Sequence, residues 1–380
     1  MGEDSADAVR VTFLPRQGDF MSGSRSSRGG AMYRAIELAG MAGYRTAPNP
    51  MVGAVVVRDG DVVGEGFHQR AGGPHAEVVA LEQAGERALG ADLYVTLEPC
   101  PTTGRTGPCT ERILAAGVRR VHAALLDPNP RVNGQGVARL REAGVEVVVG
   151  EAAAEARDLI RFYSTWVTTG RPYVTLKLAT SLDGKVATAG GESRWITGRV
   201  ARRAAHQLRS DHDSVMVGVG TVLADDPSLT ARHRPDSRQP IRVVVDSHLR
   251  TPPSARVLTQ TSGRTWIATL DQHPGPLEGA ELIPLPAHEG RVSLEALLDE
   301  LGRRQVTSLL VEGGPTVAGE VAARRLANRV VVFIAPLVLG GSQALSAIGG
   351  KGARTLSEAW RLRWARVDAV GSDLLLEAEV

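Results

Sequence analysis

Residues 72–77 read Gly-Gly-Pro-His-Ala-Glu, and the only two cysteines of the 380-residue chain, Cys100 and Cys109, follow them. One imidazole and two thiolates suit Zn²⁺, and three protein ligands leave the fourth tetrahedral position open, as in catalytic zinc sites. Glu77 stands two residues after His75, so it is placed to move protons between water and a substrate rather than to bind the metal. This stretch predicts a catalytic metal site.

The flanking residues predict how the ligands are held. Residues 72–74 can end a loop and start a helix, with proline tolerated in its first turn. Residues 92–98 read as a strand that ends at Pro99. Pro108 then opens a second helix, and the thiolate of a cysteine at a helix N-terminus is favoured by the backbone dipole.

The joint pattern of His-x-Glu, Pro-Cys and a second cysteine is the signature of zinc deaminases. In such enzymes zinc activates the water that replaces a ring amino group, while the glutamate moves the protons. Buried free thiols, or a disulfide in a secreted protein, are the alternatives that the residues leave open. Eight residues separate the cysteines, where the common signature has two, and this longer insert indicates a particular branch.

The composition indicates a globular protein of two or three domains, because 43% of its residues are hydrophobic and 23% are charged. The net charge of +2 gives no support for a nucleic-acid partner. No apolar run is long enough to span a membrane. Two cysteines placed for metal, without a signal peptide, indicate the cytoplasm. Residues 1–29 are rich in Gly, Ser and Arg, and we expect them to form a mobile tail.

Helical and apolar strand patterns alternate through the rest of the chain, which predicts two α/β domains. The first has a mostly parallel second half, and residues 98–100 follow one strand end, where such sheets bind ligands. The boundary is expected at residues 168–172. In the second domain, the strand at residues 308–312 runs into a glycine pair and a helix. This arrangement can bind an anion or serve as a tight connection.

Ten short motifs carry a resemblance to one family. They are NPMVG at residues 49–53, HAE at 75–77, TLEPC at 96–100, GRTGPC at 104–109, DPNP at 127–130, LKLA at 176–179, SLDG at 181–184, WIT at 195–197, LADDP at 223–227 and VEGGPT at 311–316. In content and order they resemble the bifunctional deaminase–reductases of riboflavin biosynthesis. The resemblance covers the chain from about Met32 to the C-terminus.

The resemblance implies a fold and two successive reactions. A cytidine-deaminase-like α/β/α layered domain at residues 30–170 would deaminate 2,5-diamino-6-ribosylamino-4(3H)-pyrimidinone 5′-phosphate. A dihydrofolate-reductase-like α/β domain at residues 171–380 would use NADPH to reduce the ribosyl group of the product to ribityl. The implied cofactors are one zinc ion per chain and NADPH. The implied partners are this pyrimidine ribonucleotide and further copies of the chain, in a homodimer or larger assembly.

The resemblance also implies the site residues. In the deaminase, the zinc ligands would be His75, Cys100 and Cys109, the proton carrier Glu77, and the nucleotide contacts Asn49, His68 and Arg105. NADPH contacts are implied at Ala179, Trp195, Thr221, Asp225, Ser247, Gly314, Pro315, Thr316, Val317, Ala318, Gly319 and Glu320. Contacts to the reductase substrate are implied at Ser193, Arg209, Leu229, Arg232 and Glu312.

Physical chemistry supports some of these roles and leaves others open. Arg209 and Arg232 can bind a phosphate through bidentate hydrogen bonds. Asp225 can orient the sugar or relay a proton, but an Asp just before Asp-Pro can also simply form a turn. The triplet at residues 101–103, Pro-Thr-Thr, departs from the polar, His-containing triplet common in the family. This departure leaves open the contacts made by that loop, and with them the retention of both activities.

Two other functions remain as alternatives. A deaminase acting on a nucleic-acid base predicts a basic, aromatic surface, yet aromatic residues make up only 4% of this chain. A zinc-stabilised nucleotide sensor without catalysis would have little need for Glu77.

Overall fold

The computed structural model describes residues 30–101, 107–270 and 276–380, and the described chain divides near Pro172 into two compact units. Each unit combines helices with one large sheet, as the sequence predicts. The expected mobile tail and the implied nucleotide contact Arg105 lie outside the described residues. Within the described ranges, no helix has both the length and the apolar character needed to cross a membrane.

The N-terminal unit is built on a five-stranded sheet in the order β2-β1-β3-β4-β5. Its elements are α1 (Ala31–Gly40), β1 (Gly53–Arg58), β2 (Asp61–Phe67), α2 (Ala76–Ala84), a 3₁₀ turn (Gly85–Ala88), β3 (Asp92–Val95), α3 (Cys109–Ala115), β4 (Arg120–Ala123), α4 (Gln135–Glu142), β5 (Glu146–Val149), α5 (Ala153–Leu159) and α6 (Arg161–Thr169). Strand β1 is antiparallel to both neighbours, whereas β3, β4 and β5 are parallel. The parallel second half is therefore confirmed, and β3 and β4 end at the same edge of the sheet.

Helix α2 lies directly against β2, because a glycine faces it. A Cβ on Gly66 would lie 2.5 Å from the Ala76 carbonyl oxygen and 2.6 Å from the Ala80 nitrogen, closer than non-bonded atoms can approach. Any other residue at this position would push the helix away from the sheet. The close packing fixes the first turn of α2, and with it His75 and Glu77.

The C-terminal unit is built on a nine-stranded sheet in the order β10-β9-β8-β7-β13-β6-β14-β16-β15. Its elements are β6 (Tyr173–Ser181), α7 (Arg199–Asp211), β7 (Ser214–Gly218), α8 (Val219–Asp225), β8 (Ile241–Val245), α9 (Arg256–Thr259), β9 (Thr265–Leu270), β10 (Glu281–Leu285), the short pair β11 (Ala287–His288) and β12 (Arg291–Val292), α10 (Leu294–Arg303), β13 (Ser308–Val311), α11 (Pro315–Ala323), β14 (Arg329–Ala335), β15 (Arg363–Val370) and β16 (Asp373–Glu379).

The strands from β10 to β14 in this order are all parallel, and β16 is antiparallel to both β14 and β15. The parallel strands therefore end at one shared edge. Ligands of open α/β sheets bind at such an edge. Most of the implied reductase contacts follow directly after these strands or start the helices there.

Four local expectations differ from the structure. Strand β3 ends at Val95, whereas the sequence predicts a strand that reaches residue 98. Helix α2 begins at Ala76 with His75 as its N-cap, so Pro74 precedes the helix instead of lying in its first turn. The sequence pattern predicts a single helix over residues 151–167, but the structure has two helices there, because Ile160 leaves the helical backbone conformation (φ −103°, ψ 12°). The sequence predicts that the helix after the glycine pair spans about residues 317–326, but α11 begins earlier, at Pro315, where the missing N–H of proline is tolerated.

Candidate active sites

The three predicted zinc ligands converge at the end of β3. The ligand atoms of His75, Cys100 and Cys109 all lie within 4.8 Å of one another. His75 Nδ1 is 3.1 Å from Cys109 Sγ and 3.6 Å from Cys100 Sγ. His75 caps α2, Cys109 begins α3 and Cys100 follows β3, so three separate elements supply the ligands. One imidazole and two sulfurs at this spacing form a donor set that fits zinc.

The protonation of the cluster supports its use as a ligand set. The Cys109 thiol donates a hydrogen bond to Cys100 and, together with the His75 imidazole, lowers the pKa of Cys100 to about 4 against the effect of burial. The same hydrogen bond and burial raise the pKa of Cys109. The group therefore already favours one thiolate. A divalent cation is well suited to replace the remaining thiol proton, because zinc binds thiolates.

Glu77 lies beside this cluster in the first turn of α2, and its side chain is only 3% exposed. Burial raises the pKa of Glu77, while the nearby His75 and a backbone hydrogen bond oppose that shift. A buried carboxyl group with a raised pKa can both accept and return a proton. The placement matches the role predicted for it.

Two implied nucleotide contacts, Asn49 and His68, lie next to the metal ligands. His68 Nδ1 donates to the Pro74 carbonyl oxygen at 2.9 Å, so His68 Nε2 accepts from the Asn49 side-chain amide at 3.1 Å. The His68 ring packs edge-on against His75, with 5.5 Å between ring centroids. Burial lowers the pKa of His68, which favours the neutral ring. This pair can present an amide oxygen to a pyrimidine ring.

The segment implied to bind NADPH starts α11 at the C-terminal edge of the second sheet. Gly314 is the N-cap, and Pro315 begins the helix. A Cβ on Gly314 would lie 3.0 Å from Thr221 Oγ1, so the starts of α8 and α11 are side by side. Unpaired backbone N–H groups at a helix N-terminus bind phosphate. The residues present therefore fit a dinucleotide.

The remaining implied cofactor contacts vary in their surroundings. Ser247 Oγ accepts from the Val292 backbone N–H at 3.0 Å, and Glu320 forms an ion pair with Arg324. Trp195 is 70% exposed, and the Arg202 guanidinium lies 4.4 Å from the centre of its ring. A large exposed ring at this edge is available for stacking. Ala179 is a half-buried residue of β6.

Ser193 and Asp225 are brought together, since Ser193 Oγ donates to Asp225 Oδ1 at 3.2 Å. The turn that was the alternative role of Asp225 belongs to its neighbour instead. Asp226 adopts the left-handed conformation that ends α8, and its carboxylate accepts from the Arg256 backbone N–H. Asp225 thus keeps its carboxylate at the edge of the site.

Arg209 and Glu312, implied as separate substrate contacts, bind each other. Arg209 Nε and Nη2 donate to the two Glu312 oxygens at 2.6 and 3.0 Å, and Arg209 Nη1 donates to the Thr230 carbonyl oxygen at 3.1 Å. The guanidinium fork expected to face a phosphate therefore faces a carboxylate. Burial opposes ionisation of Glu312, but Arg209 and Lys177 lower its pKa to about 2.

The other implied substrate contacts differ in access. Arg232 is exposed at the surface. The partial burial of its guanidinium and the like charges of Arg209 and Arg256 lower its pKa, so a bound anion relieves the repulsion among these arginines. Leu229 is buried as a whole residue, with only 2% of its surface exposed, so the structure does not leave it open to a substrate.

Lys177 is a further functional candidate, for which the family resemblance implies no role although the residue lies in the LKLA motif. Its Nζ lies 3.5 Å from Glu312 Oε2, inside the same cluster. A lysine as the single charged residue of the largely buried strand β6 is the signal that indicates it, because such residues are rarely buried without a partner.

Comparison with known proteins accounts for both units. Residues 26–125 match the cytidine and deoxycytidylate deaminase zinc-binding region, and residues 172–376 match the RibD C-terminal domain. The chain is 44% identical over 349 residues to riboflavin biosynthesis protein RibD of Aquifex aeolicus, covering 91% of this chain and 96% of the relative. The chain belongs to the RibD family. The RibD protein of Escherichia coli is also 44% identical, over 359 residues, covering 91% of this chain and 97% of that relative.

Solved structures agree with this family. Acinetobacter baumannii RibD superposes with a TM-score of 0.84 at 37% identity, over 92% of this chain and 97% of the other. A Thermotoga maritima protein gives 0.83 at 38% identity over the same shares, and it is named diaminohydroxyphosphoribosylaminopyrimidine deaminase/5-amino-6-(5-phosphoribosylamino)uracil reductase.

RibD membership makes the chain a bifunctional deaminase and reductase of riboflavin biosynthesis, with zinc and NADPH as cofactors. It confirms the predicted fold class for both units. It also excludes the two alternatives, because neither a nucleic-acid deaminase nor a zinc-stabilised sensor accounts for the reductase half.

Proposed function

We propose that the chain catalyses two successive steps on one pyrimidine ribonucleotide. Residues 30–170 deaminate 2,5-diamino-6-ribosylamino-4(3H)-pyrimidinone 5′-phosphate, and residues 171–380 reduce the ribosyl group of 5-amino-6-(5-phosphoribosylamino)uracil to ribityl. The observation that carries the first step is the convergence of His75, Cys100 and Cys109 beside buried Glu77. The substrates are those in the name of the Thermotoga maritima relative.

In the deaminase, His75, Cys100 and Cys109 hold zinc, which when bound supplies a Lewis acid that lowers the pKa of water. Glu77 takes a first proton from the attacking water and delivers it to the ring nitrogen, and then carries the remaining hydroxyl proton to the amino group, which leaves as ammonia. Water supplies the new oxygen. Asn49 and His68 orient the ring. Arg105 is proposed to contact the 5′-phosphate.

In the reductase, NADPH supplies a hydride when bound. The contacts proposed for it are those that surround the start of α11, together with Ala179, Trp195, Asp225 and Ser247. Glu312 stays ionised between Arg209 and Lys177, so it can accept hydrogen bonds from sugar hydroxyls. Arg232 offers its charge to the phosphate. Ser193 and Leu229 complete the substrate contacts implied by the family resemblance.

The proposal also includes the cellular location and the oligomeric state of the enzyme. We place the protein in the cytoplasm, where both cysteines stay reduced and available for metal. We also propose a homodimer or larger assembly, on the strength of the family resemblance.

The experiment is incubation of the purified chain with the diaminopyrimidine nucleotide, with and without NADPH. We expect ammonia release under both conditions and NADPH loss only after ammonia has appeared. Absence of ammonia release by zinc-loaded protein would refute the first step. Ammonia release without NADPH oxidation would leave a single-activity enzyme.

A further inference from the structure

Glu98 is a buried carboxylate that neither half of the proposed chemistry uses. It lies two residues before Cys100 and is only 4% exposed. Its oxygens accept three backbone hydrogen bonds, from the N–H groups of Asp127 at 3.0 Å, Gly134 at 2.9 Å and Val137 at 3.0 Å. We call this set of contacts the Glu98 clasp. It ties the end of β3 to the loop between β4 and α4 and to the first turn of α4.

The clasp holds the backbone at Cys100 in place. A Cβ on Gly136 would lie 1.9 Å from the Pro99 carbonyl oxygen, so the first turn of α4 lies directly against the Pro99–Cys100 peptide. On the other side, the Thr110 backbone N–H donates to the Cys100 carbonyl oxygen at 3.3 Å. Cys100 is thus held between the starts of α3 and α4, and Glu98 fixes the second of these.

A hydrogen bond from Tyr163 connects the loop held by the Glu98 clasp to helix α6. The Tyr163 hydroxyl donates to Asp127 Oδ1 at 3.0 Å, and the same oxygen accepts from the Asn129 backbone N–H at 2.8 Å. Asp127 therefore binds Glu98 through its backbone and Tyr163 through its side chain. Helix α6 lies beyond residue 125, where the match to the deaminase zinc-binding region ends.

We propose that Glu98 and Tyr163 are positioning residues of the deaminase with separable effects. Glu98 fixes Cys100 and thereby the affinity for zinc, whereas Tyr163 fixes the Asp127 carboxylate within the loop after β4 and thereby the binding of the nucleotide. This inference rests on the deaminase function proposed above. The loop leaves the C-terminal end of β4, at the sheet edge where α/β domains bind ligands.

The two substitutions differ in what they leave unsatisfied. Replacing the Glu98 carboxylate by an amide sets a donor against these backbone N–H groups, and the bonds from Asp127 and Val137 are buried, so the loop must move and Cys100 with it. Removing the Tyr163 hydroxyl takes one donor from Asp127, but the Glu98 clasp still holds the loop backbone. Zinc should therefore respond to Glu98 and not to Tyr163.

The zinc experiment uses the full-length zinc-loaded chain and a chromogenic chelator in competition. For Glu98→Gln we expect zinc affinity to fall roughly 10–100-fold, as for groups that support metal ligands. Glu98→Asp keeps the charge on a shorter side chain and should give an intermediate affinity. Glu111→Gln is the matched control, because Glu111 also joins α3 to α4, through an exposed ion pair with Arg139. It should leave zinc affinity unchanged.

The nucleotide experiment uses Tyr163→Phe, with Tyr33→Phe in α1 as the control. We expect Tyr163→Phe to raise KM for the diaminopyrimidine nucleotide several-fold, with zinc affinity and kcat close to wild type. NADPH oxidation on the deaminated substrate should stay unchanged in every variant and reports on the C-terminal unit, while circular dichroism with thermal unfolding reports on folding of the N-terminal unit.

Wild-type zinc affinity in Glu98→Gln, or an unchanged KM in Tyr163→Phe, would overturn the corresponding half of the inference. If Glu98→Gln is insoluble, the affinity of Glu98→Asp decides, and a wild-type value overturns the inference. Failure of the proposed function looks different. In that case zinc affinity still falls from wild type to Glu98→Asp to Glu98→Gln, but the zinc-loaded wild-type protein releases no ammonia.

Discussion

Two buried glutamates of this chain are driven in opposite directions by their neighbours. Burial raises the pKa of Glu77, whereas Arg209 and Lys177 outweigh burial at Glu312 and lower its pKa to about 2. Glu77 is therefore suited to exchanging protons, and Glu312 to holding a permanent negative charge. Environments that separate the pKa values of similar groups assign them different roles.

The first prediction concerns Glu77→Gln. The amide keeps the size of the side chain but cannot move protons, so ammonia release should fall by ~10²–10⁴-fold. Zinc content, measured by elemental analysis, should stay at about one ion per chain, and NADPH oxidation on the deaminated substrate should be unaffected. Near-wild-type ammonia release would contradict the role of Glu77.

The second prediction concerns the pH dependence of stability at Glu312. Its pKa is about 2 in the folded chain and 4.5 in the reference state, so its ionisation stabilises the fold fully above pH 4.5. That contribution is lost as the pH falls toward 2. Arg209→Leu leaves the buried carboxylate without its main partner and should lower the unfolding free energy by about 3–5 kcal/mol at neutral pH.

Denaturant unfolding of wild type and Arg209→Leu across acidic pH measures this effect. The difference between the two should be largest above pH 4.5 and shrink below it. Arg139→Leu, which breaks an exposed pair with Glu111, should cost less than about 1 kcal/mol. A difference between wild type and Arg209→Leu that does not depend on pH would contradict the ion-pair account.

At the scale of elements, a segment after β14 is tied to the turn that follows β6. Asp183 accepts from the backbone N–H groups of Leu339 at 3.0 Å and Gly340 at 2.7 Å. The hydrogen bond from the Ser181 hydroxyl, together with these two bonds, lowers the pKa of Asp183 to about 2. Further along, the Gly349 N–H donates to the Pro315 carbonyl oxygen at 2.9 Å. The segment therefore runs from the end of β14 to the start of α11.

The third prediction follows from this connection. Asp183→Asn keeps one acceptor but sets an amide donor against the other backbone N–H. Amide hydrogen exchange of residues 337–347, followed by mass spectrometry, should become several-fold faster, while β6 and β14 keep their protection. Asp59→Asn, at the exposed turn between β1 and β2, should change nothing in this segment. Unchanged exchange in Asp183→Asn would show that Asp183 does not hold it.

The contacts between elements also show which parts of the site can be predicted from the sequence and which cannot. The zinc ligands were predictable because their chemistry depends on residue types at a recognisable spacing. The Arg209–Glu312 pair was not, since the two residues are 103 positions apart and meet only through the order of strands in the sheet. The Glu98 clasp was also missed, because its partners are backbone N–H groups, which leave no mark in the sequence. The break at Ile160 had no glycine or proline to signal it.

At the scale of the whole molecule, the chain divides near Pro172, and each side has its own sheet. The fourth prediction is that a fragment of residues 171–380 folds and oxidises NADPH when it is given the deaminated nucleotide. Circular dichroism and NADPH fluorescence measure folding and binding separately. A folded fragment that binds no NADPH would contradict the assignment of the reductase to this unit.

The most direct test of the account is one reaction of the full chain with the diaminopyrimidine nucleotide. It is run in oxygen-18 water with NADPH deuterated at the transferred position, and the product is analysed by mass spectrometry. Hydrolytic deamination followed by hydride transfer predicts a ribityl product with oxygen-18 on the ring and deuterium on the sugar chain. Two results would contradict the account of one chain performing both steps. One is a product that carries deuterium but keeps the 2-amino group of the ring. The other is a product that carries oxygen-18 but still has an unreduced ribosyl group.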